Sequence, residues 1–515
     1  MATWYVSNEA INGYTVGNDT TGNGSAALPY LTIAKAIAVA ASTGDTIYVN
    51  GASHASAPIT ITKAVNLQPT VAYGTTITGS NATRNIAINH SLGGTNTFGA
   101  FILDQNNVCA SAVQITASAV KYGIVFQGTR IVNCVQYGVG NTSGSLIADI
   151  SFSSGCTITS TNIGFINALL MTSTASGSLT VSGSVASPGL TITVTPGASQ
   201  TAATQTMIAL TSTGVAGAVT CSLSGLVISA STTNGAGAKA FFGAVINNVS
   251  GFYLGNSSIS VTSTNASHTI DGINVTTNGA VGGRGAQNAI VEYNTFTLNT
   301  AGGGHVCLIG EEVPDGVKDN LTDGAIVRYN TVVGSDAAAV ATLHGLMLGN
   351  NRNGQVYGNT ISKVYIGVIT KEGTGHVVHH NTTSQVPVNG QHLRSKAATT
   401  KFYLNVCTSG ASYTGTFFSN TENDGATRYS SSTFRRNKLL NPSNAALQAL
   451  NCPTGSTAYM YNNIYQGTGV LSFIYGSSYA SWALFKAARI EVMDNGFGKV
   501  RGFRTSASRT SAAYA

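Results

Sequence analysis

One short unit recurs through the second half of this chain and limits its fold more than any other feature. Two or three apolar or aromatic residues are followed by Asn and then by a small residue. The unit reads Ile290-Val291-Glu292-Tyr293-Asn294-Thr295-Phe296, then Ile326-Val327-Arg328-Tyr329-Asn330-Thr331-Val332. It returns as Val356-Tyr357-Gly358-Asn359-Thr360-Ile361 and Val377-Val378-His379-His380-Asn381-Thr382, with weaker copies ending at Asn405, Asn437 and Asn462. The Asn-to-Asn steps are 36, 29, 22, 24, 32 and 25 residues. Short steps read as one bare coil and long ones as a coil carrying a loop. A second apolar run keeps phase with the first: Gly345-Leu346-Met347-Leu348 and Gly367-Val368-Ile369 each lie 14 residues before an Asn, and Gly390-Gln391-His392-Leu393 lies 15 before one. Strands this short cannot stand alone. Stacked coil on coil, they bury one continuous core and pair every backbone amide with a neighbouring coil. The fold class expected is all-β: a right-handed parallel β-helix solenoid with an N-terminal capping helix.

The repeated Asn has a physical role in such a coil. A corner between strands often needs a left-handed residue, which Asn tolerates. Its amide can also bond the same amide one coil away, as a ladder.

The first half repeats less clearly. Phe101-Ile102-Leu103, Ile124-Val125-Phe126 and Ile147-Ala148 are spaced by 23 residues, and Cys109, Cys134 and Cys156 step by 25 and 22. These cysteines read as an inward stack of small apolar side chains. They lack the short paired spacing of a zinc site. From Ile131 to Ala238 there is no Lys or Arg and one acid, Asp149. Alternation such as Ser178-Leu179-Thr180-Val181-Ser182 signals half-buried strands. Two assignments stay open there: further coils with Thr-rich outer faces, or an antiparallel sheet inserted at 170–235. The expected divisions are therefore a cap and first strand at 1–50, less regular coils at 51–270, regular coils at 271–475, and a C-terminal cap with a basic tail at 476–515.

Composition narrows the partners. The net charge of +7 is local: from Arg428 onward ten basic and two acidic residues give +8, and the remainder has 15 and 16, giving −1. There is no dense basic stripe of the nucleic-acid kind. No run of 18 apolar residues offers a membrane span, so membrane insertion is not expected. Met1–Glu9 shows neither a basic n-region nor an apolar h-region, so no signal peptide is expected. The seven scattered cysteines do not make a disulfide framework.

The start carries a family resemblance. Gly17-Asn18-Asp19, Gly22-Asn23-Gly24 and Pro29-Tyr30-Leu31-Thr32-Ile33 precede a helical run with Ile33, Ala36, Ile37 and Ala40 on one face and Thr32 at its N-cap. Gly44-Asp45 then ends the run, and Thr46-Ile47-Tyr48-Val49 reads as the first strand. This text resembles the opening of pectate-lyase-like parallel β-helix proteins, a superfamily holding polysaccharide lyases, glycoside hydrolases, autotransporter passengers and bacteriophage tailspikes. The resemblance specifies fold well and chemistry poorly. It implies a homotrimer of the tailspike type. It fits a virion protein assembled in the host cytoplasm, bound to host surface polysaccharide and to other virion proteins through the basic C-terminal end. The alternatives are a polysaccharide lyase or glycoside hydrolase, and a purely structural solenoid.

Chemistry-bearing residues crowd one stretch. Six of nine His and eight of eighteen acids lie between Glu292 and His392. The longest coil step holds Glu311, Glu312, Asp315, Asp319 and Asp323. Glu311, Glu312 and Asp315 are candidate acids and bases for a glycosidic bond. Asp319 and Asp323 are candidate calcium ligands, Ca2+ preferring hard oxygens. A solvated acidic loop explains the same residues. Lys371 and Arg394 each follow a coil Gly by four positions and are expected to stack on one face. The resemblance makes them candidates for the cationic base of a lyase. Candidate carbohydrate contacts are His344, Arg352, Tyr357, Tyr365, His392 and Tyr403. Exposed Tyr offers an apolar face and a polar tip, with core packing as the plain alternative.

Overall fold

The structure is a computed structural model. It describes the chain except residues 42, 57, 81–82, 90–92, 117–119, 142–147, 174–175, 196–203, 214–218, 233–238, 277–285, 311–321, 336–342, 387–389, 410–412, 421–430, 442–446, 453–456, 462, 468–470, 476, 480–503 and 506–515. The fold is a right-handed parallel β-helix. Each coil contributes one short strand to each of three parallel sheets, here called first, second and third in coil order. Two compact units result, Met1–Thr262 and Ser263–Ala515.

Unit 1 begins with a strand absent from the sequence-based expectation, Thr3–Ser7, which pairs in parallel with Thr43–Asn50. Between them lies the helix Ile33–Val39. Thr32 caps it, its hydroxyl accepting from the Lys35 amide at 3.2 Å, and Ile33, Ala36 and Ile37 turn inward. Asp45 ties the cap together. Its carboxylate accepts from the Ala2 amide at 2.6 Å, the Trp4 indole at 3.0 Å and the Ala41 amide at 2.8 Å.

Alternating residues fill the core of unit 1. Phe98, Phe126 and Phe152 share a register row and stack at 5.1 and 4.8 Å. Burying each such ring contributes about 1.5–3 kcal/mol. The charge-free stretch consists of coils: Gly177–Ser182, Leu190–Val194 and Thr204–Ser212 pair in parallel with Val219–Ser224, Leu226–Thr232 and Lys239–Asn247. Its Thr and Ser alternate outward against buried Leu, Ile and Val. Cys109, Cys134 and Cys156 are buried and free as expected, yet they form no stack. Cys156 pairs with Leu190 inside a strand, whereas Cys134 lies in the corner beyond Arg130–Val132. Steps of 25 and 22 residues suggest one coil each but do not show that Cys134 lies in a corner and Cys156 in a strand.

Unit 2 carries the regular coils. Its Asn residues form the expected ladder, with side-chain amide donors 2.9–3.0 Å from the next Oδ1 through Asn294, Asn330, Asn359, Asn381, Asn405, Asn437 and Asn463. The last rung is Asn463; the expected Asn462 lies outside the described residues. The left-handed residue is not the Asn but the one before it: Tyr293, Tyr329, Gly358, His380, Leu404 and Arg436 have φ between 54° and 66°. Among the described residues, no helix is long and apolar enough to cross a membrane.

Candidate functional site

The Asn corner of unit 2 presents three outward rows side by side. On the first sheet, register places Glu292, Arg328, Tyr357, His379, Tyr403 and Arg435 in one row. The left-handed residues Tyr293, Tyr329, Gly358, His380, Leu404 and Arg436 make the second. Beyond the buried Asn, the second sheet adds Thr295, Thr331, Thr360, Thr382, Val406 and Lys438. At one strand spacing per coil, this strip is roughly 24 Å long.

Contacts along the strip fix its side chains. Arg328 donates from Nε to Glu292 at 2.6 Å and from a terminal nitrogen to the Tyr357 hydroxyl at 2.7 Å. The hydroxyl and then the carboxylate hold the guanidinium pKa above its ordinary value. Tyr357, His379 and Tyr403 stack with ring centroids 4.8 and 4.9 Å apart and planes within 5°. The Arg435 guanidinium lies 5.3 Å from the Tyr403 ring centre. Tyr293 and Tyr329 stack at 5.2 Å and remain 52% and 45% exposed. Burial first, and the neighbouring His380 second, lower the His379 pKa.

This geometry corrects one expectation about Tyr357 and Tyr403. Both are on the outer surface, but their ring faces are spent on His379. They offer edges and hydroxyls to a ligand rather than an apolar platform. The exposed Tyr293 and Tyr329, the His379–His380 pair, and Arg435 and Arg436 were not singled out from sequence. Their signal was available: each sits one or two residues before a ladder Asn.

The other candidates are dispersed. His392 is no ligand contact. It is fully buried in the core, with Nδ1 2.7 Å from the Thr383 hydroxyl and its ring 5.0 Å from Phe417. Burial pushes its pKa down to about 3. Lys371 and Arg394 do face outward on the third sheet, but in different rows. Lys371 pairs with Lys396, and Arg394 with Ile369. The register counterpart of Gly367 is His392, not Gly390, so matching glycines misphased the coils by two residues. Lys371 is also only 4% exposed. Tyr365 packs against Leu308, Met347, Ile366 and Ile369. Arg352 pairs with Asp323 at 3.3 Å, and Asn353 also donates to Asp323, so that carboxylate faces a guanidinium. Glu311, Glu312, Asp315 and Asp319 lie outside the described residues. Among the described residues, no group of three or more His, Cys, Asp or Glu is placed to hold a metal ion.

His344 belongs to a second cluster on the outer third sheet. Register aligns Asp271, His305 and His344. Asp271 accepts from the His305 backbone at 2.7 Å, and its Oδ1 lies 3.2 Å from His305 Nδ1. The His305 and His344 rings meet edge to face at 5.1 Å.

No protein-family model matches the sequence, and no curated protein matches it. Among solved structures, the chain is similar to native GH136 lacto-N-biosidase from Eubacterium ramulus. Identity is 9% and the TM-score 0.35, with 90% of this chain and 68% of that one covered. The selenomethionine derivative of that protein gives 10% identity, a TM-score of 0.26, and 90% and 67% coverage. Likeness at that level carries no functional argument. Fold and site together define a parallel β-helix protein with an aromatic and cationic strip along one corner.

Proposed function

We propose that the protein is a bacteriophage virion component of the tailspike kind that holds a host surface polysaccharide along the corner strip of unit 2. One observation carries this proposal. Five bulky residues, Tyr293, Tyr329, His380, Leu404 and Arg436, occupy left-handed backbone, where Gly358 does the same job in the same column. A non-glycine residue there costs about 1–2 kcal/mol. Such strain persists chiefly where the side chain has a task beyond the fold. Here those side chains line an outward strip whose repeat is one coil, which suits a linear polymer of repeating sugars.

Homotrimeric assembly and docking to other virion proteins through the basic end from Arg428 are part of the same proposal. A monomer by light scattering would contradict the trimer. Incubating the protein with capsular and lipopolysaccharide glycans tests the main claim; saturable binding is expected, and no binding to any of them would reject it.

A second reading adds cleavage, as a lyase or glycoside hydrolase. The Asp271–His305 contact favours it, because a carboxylate that orients an imidazole prepares a general base. New reducing ends or unsaturated-uronate absorbance, lost in His305→Gln, would support cleavage. A chelator arm checks for Ca2+. Binding without either product would leave a binder alone.

A further inference from the structure

Resting on that glycan-binding proposal, we infer that the strip takes a polyanionic glycan, such as a uronate-containing chain, and grips it more tightly once the His379–His380 pair is protonated. The fixed charges come first. The rows contain Arg328, Arg435, Arg436 and Lys438 against the single carboxylate Glu292, which gives 4 − 1 = +3, and Lys401 adds a cation on the adjacent row. Glu292 is already paired with Arg328. A neutral sugar chain has no use for this balance, whereas one acid group per few sugars would meet a cation every coil or two.

The histidine pair sits mid-strip. His379 Nδ1 and His380 Nδ1 lie 2.7 Å apart, so a single proton fits between them, one nitrogen donating and the other accepting. Tyr357 faces the pair from the preceding coil, with Arg328 on its hydroxyl. Tyr403 faces it from the following coil, with Arg435 over its ring. Lys401 lies opposite Val377 on the adjacent row, and Arg436 continues the corner. A proton added to the accepting Nδ1 makes both Nδ1 atoms donors and ends their mutual bond, with one imidazolium charge; a further proton on the Nε2 of the other ring makes the second, and an anionic group then bridges the two. Carboxylates stay ionised down to about pH 4 and an ordinary His protonates near 6.5, so the effect belongs between those values. Nucleic acid fits less well, since single-strand binding needs open ring faces for bases and these are stacked on each other.

The test titrates the full chain with polygalacturonate, dextran and a single-stranded oligonucleotide at pH 5 and pH 7.5. Polygalacturonate should bind roughly fivefold or more tightly at pH 5, as added cations strengthen anion binding, and dextran should not bind. His379→Gln/His380→Gln should lose the pH response, so that its affinities at pH 5 and pH 7.5 become equal. His380→Asn, which suits left-handed backbone, serves if the double variant misfolds, and should blunt the response. Equal affinity at both pH values, or a pH response that survives in these variants, overturns the inference. Dextran binding as well as polygalacturonate would overturn the anionic preference and leave the glycan proposal standing. No binding to either polymer would count against both. Preference for the oligonucleotide would replace glycan with nucleic acid.

Discussion

The two units solve the same corner differently. In unit 1 the corner after Phe126 is Gly128 then Thr129: the glycine takes φ 67°, and the buried Thr hydroxyl bonds the Phe98 and Gly99 carbonyls one coil back. Thr75 and Ser257 make similar single-coil contacts with Val49 O and with the Leu226 amide. In unit 2 a bulky residue replaces the glycine and Asn replaces the hydroxyl. Each Asn reaches both ways. Asn359 donates to Val327 O and to Asn381 Oδ1, while its own oxygen accepts from the backbone and side chain of Asn330. The comparison teaches that the fold alone asks for one left-handed residue here, met in unit 1 by Gly128 and Gly225 and also by the small polar Ser154 and Asn256. Unit 2 departs from that cheaper corner in the rows that face outward with aromatic and basic side chains, and the ladder offsets the strain.

The ladder gives the largest expected effect. Asn359→Ala strands the Asn330 backbone amide inside the corner, at about 1–3 kcal/mol, and removes the side-chain bonds to Asn330 and Asn381, at about 1 kcal/mol each. Thr129→Ala removes a hydroxyl with modest net worth, about 1 kcal/mol. Urea unfolding of both variants measures the difference; equal losses would erase the distinction between the corners.

Acid should weaken unit 2 next. Burial pushes His376 down to about 4, partly opposed by the Glu372 carbonyl, and His392 to about 3. An unfolded His titrates near 6.5. Between these values the unfolded chain binds protons that the folded chain does not, so stability rises with pH. The contribution is fully present above about 6.5 and is lost as pH falls. Two such groups cost about 2–3 kcal/mol by pH 5.5, at about 1.4 kcal/mol per group and pH unit. Melting curves from pH 7.5 to 5 check this, and His392→Gln should flatten them. Asp45 in unit 1 acts lower: burial raises its pKa, but Trp4, Ala2 and Ala41 outweigh it, so its loss waits for pH below the usual carboxylate range.

The smallest effect concerns strain itself. Leu404→Gly relieves the left-handed backbone at φ 56° but frees the unfolded chain, so stability should change by no more than about 1 kcal/mol. A loss of several kcal/mol would show that the Leu404 side chain is structural.

Much of this was legible in the sequence. The Asn ladder was, because one buried amide per coil leaves a strict periodic mark, and so was the capping helix at Thr32. The coils of the charge-free stretch were only half legible, since alternation marks a strand without naming its partner. The site was mostly hidden. Lys371 and Arg394 were aligned on glycines that are two residues out of register, and His392 looks polar in sequence while its ring is core. Tyr357 and Tyr403 were found, but their mutual stacking through His379 is a property of register that no single coil reveals.

The decisive measurement replaces the strained corner of unit 2 with the corner of unit 1. In the variant Tyr329→Gly/His380→Gly/Leu404→Gly/Arg436→Gly, the Asn ladder is untouched. The expected result is a melting temperature close to that of the parent, with polygalacturonate binding at pH 5 reduced at least tenfold. Parental affinity in a folded variant would contradict the assignment of this strip as the binding site.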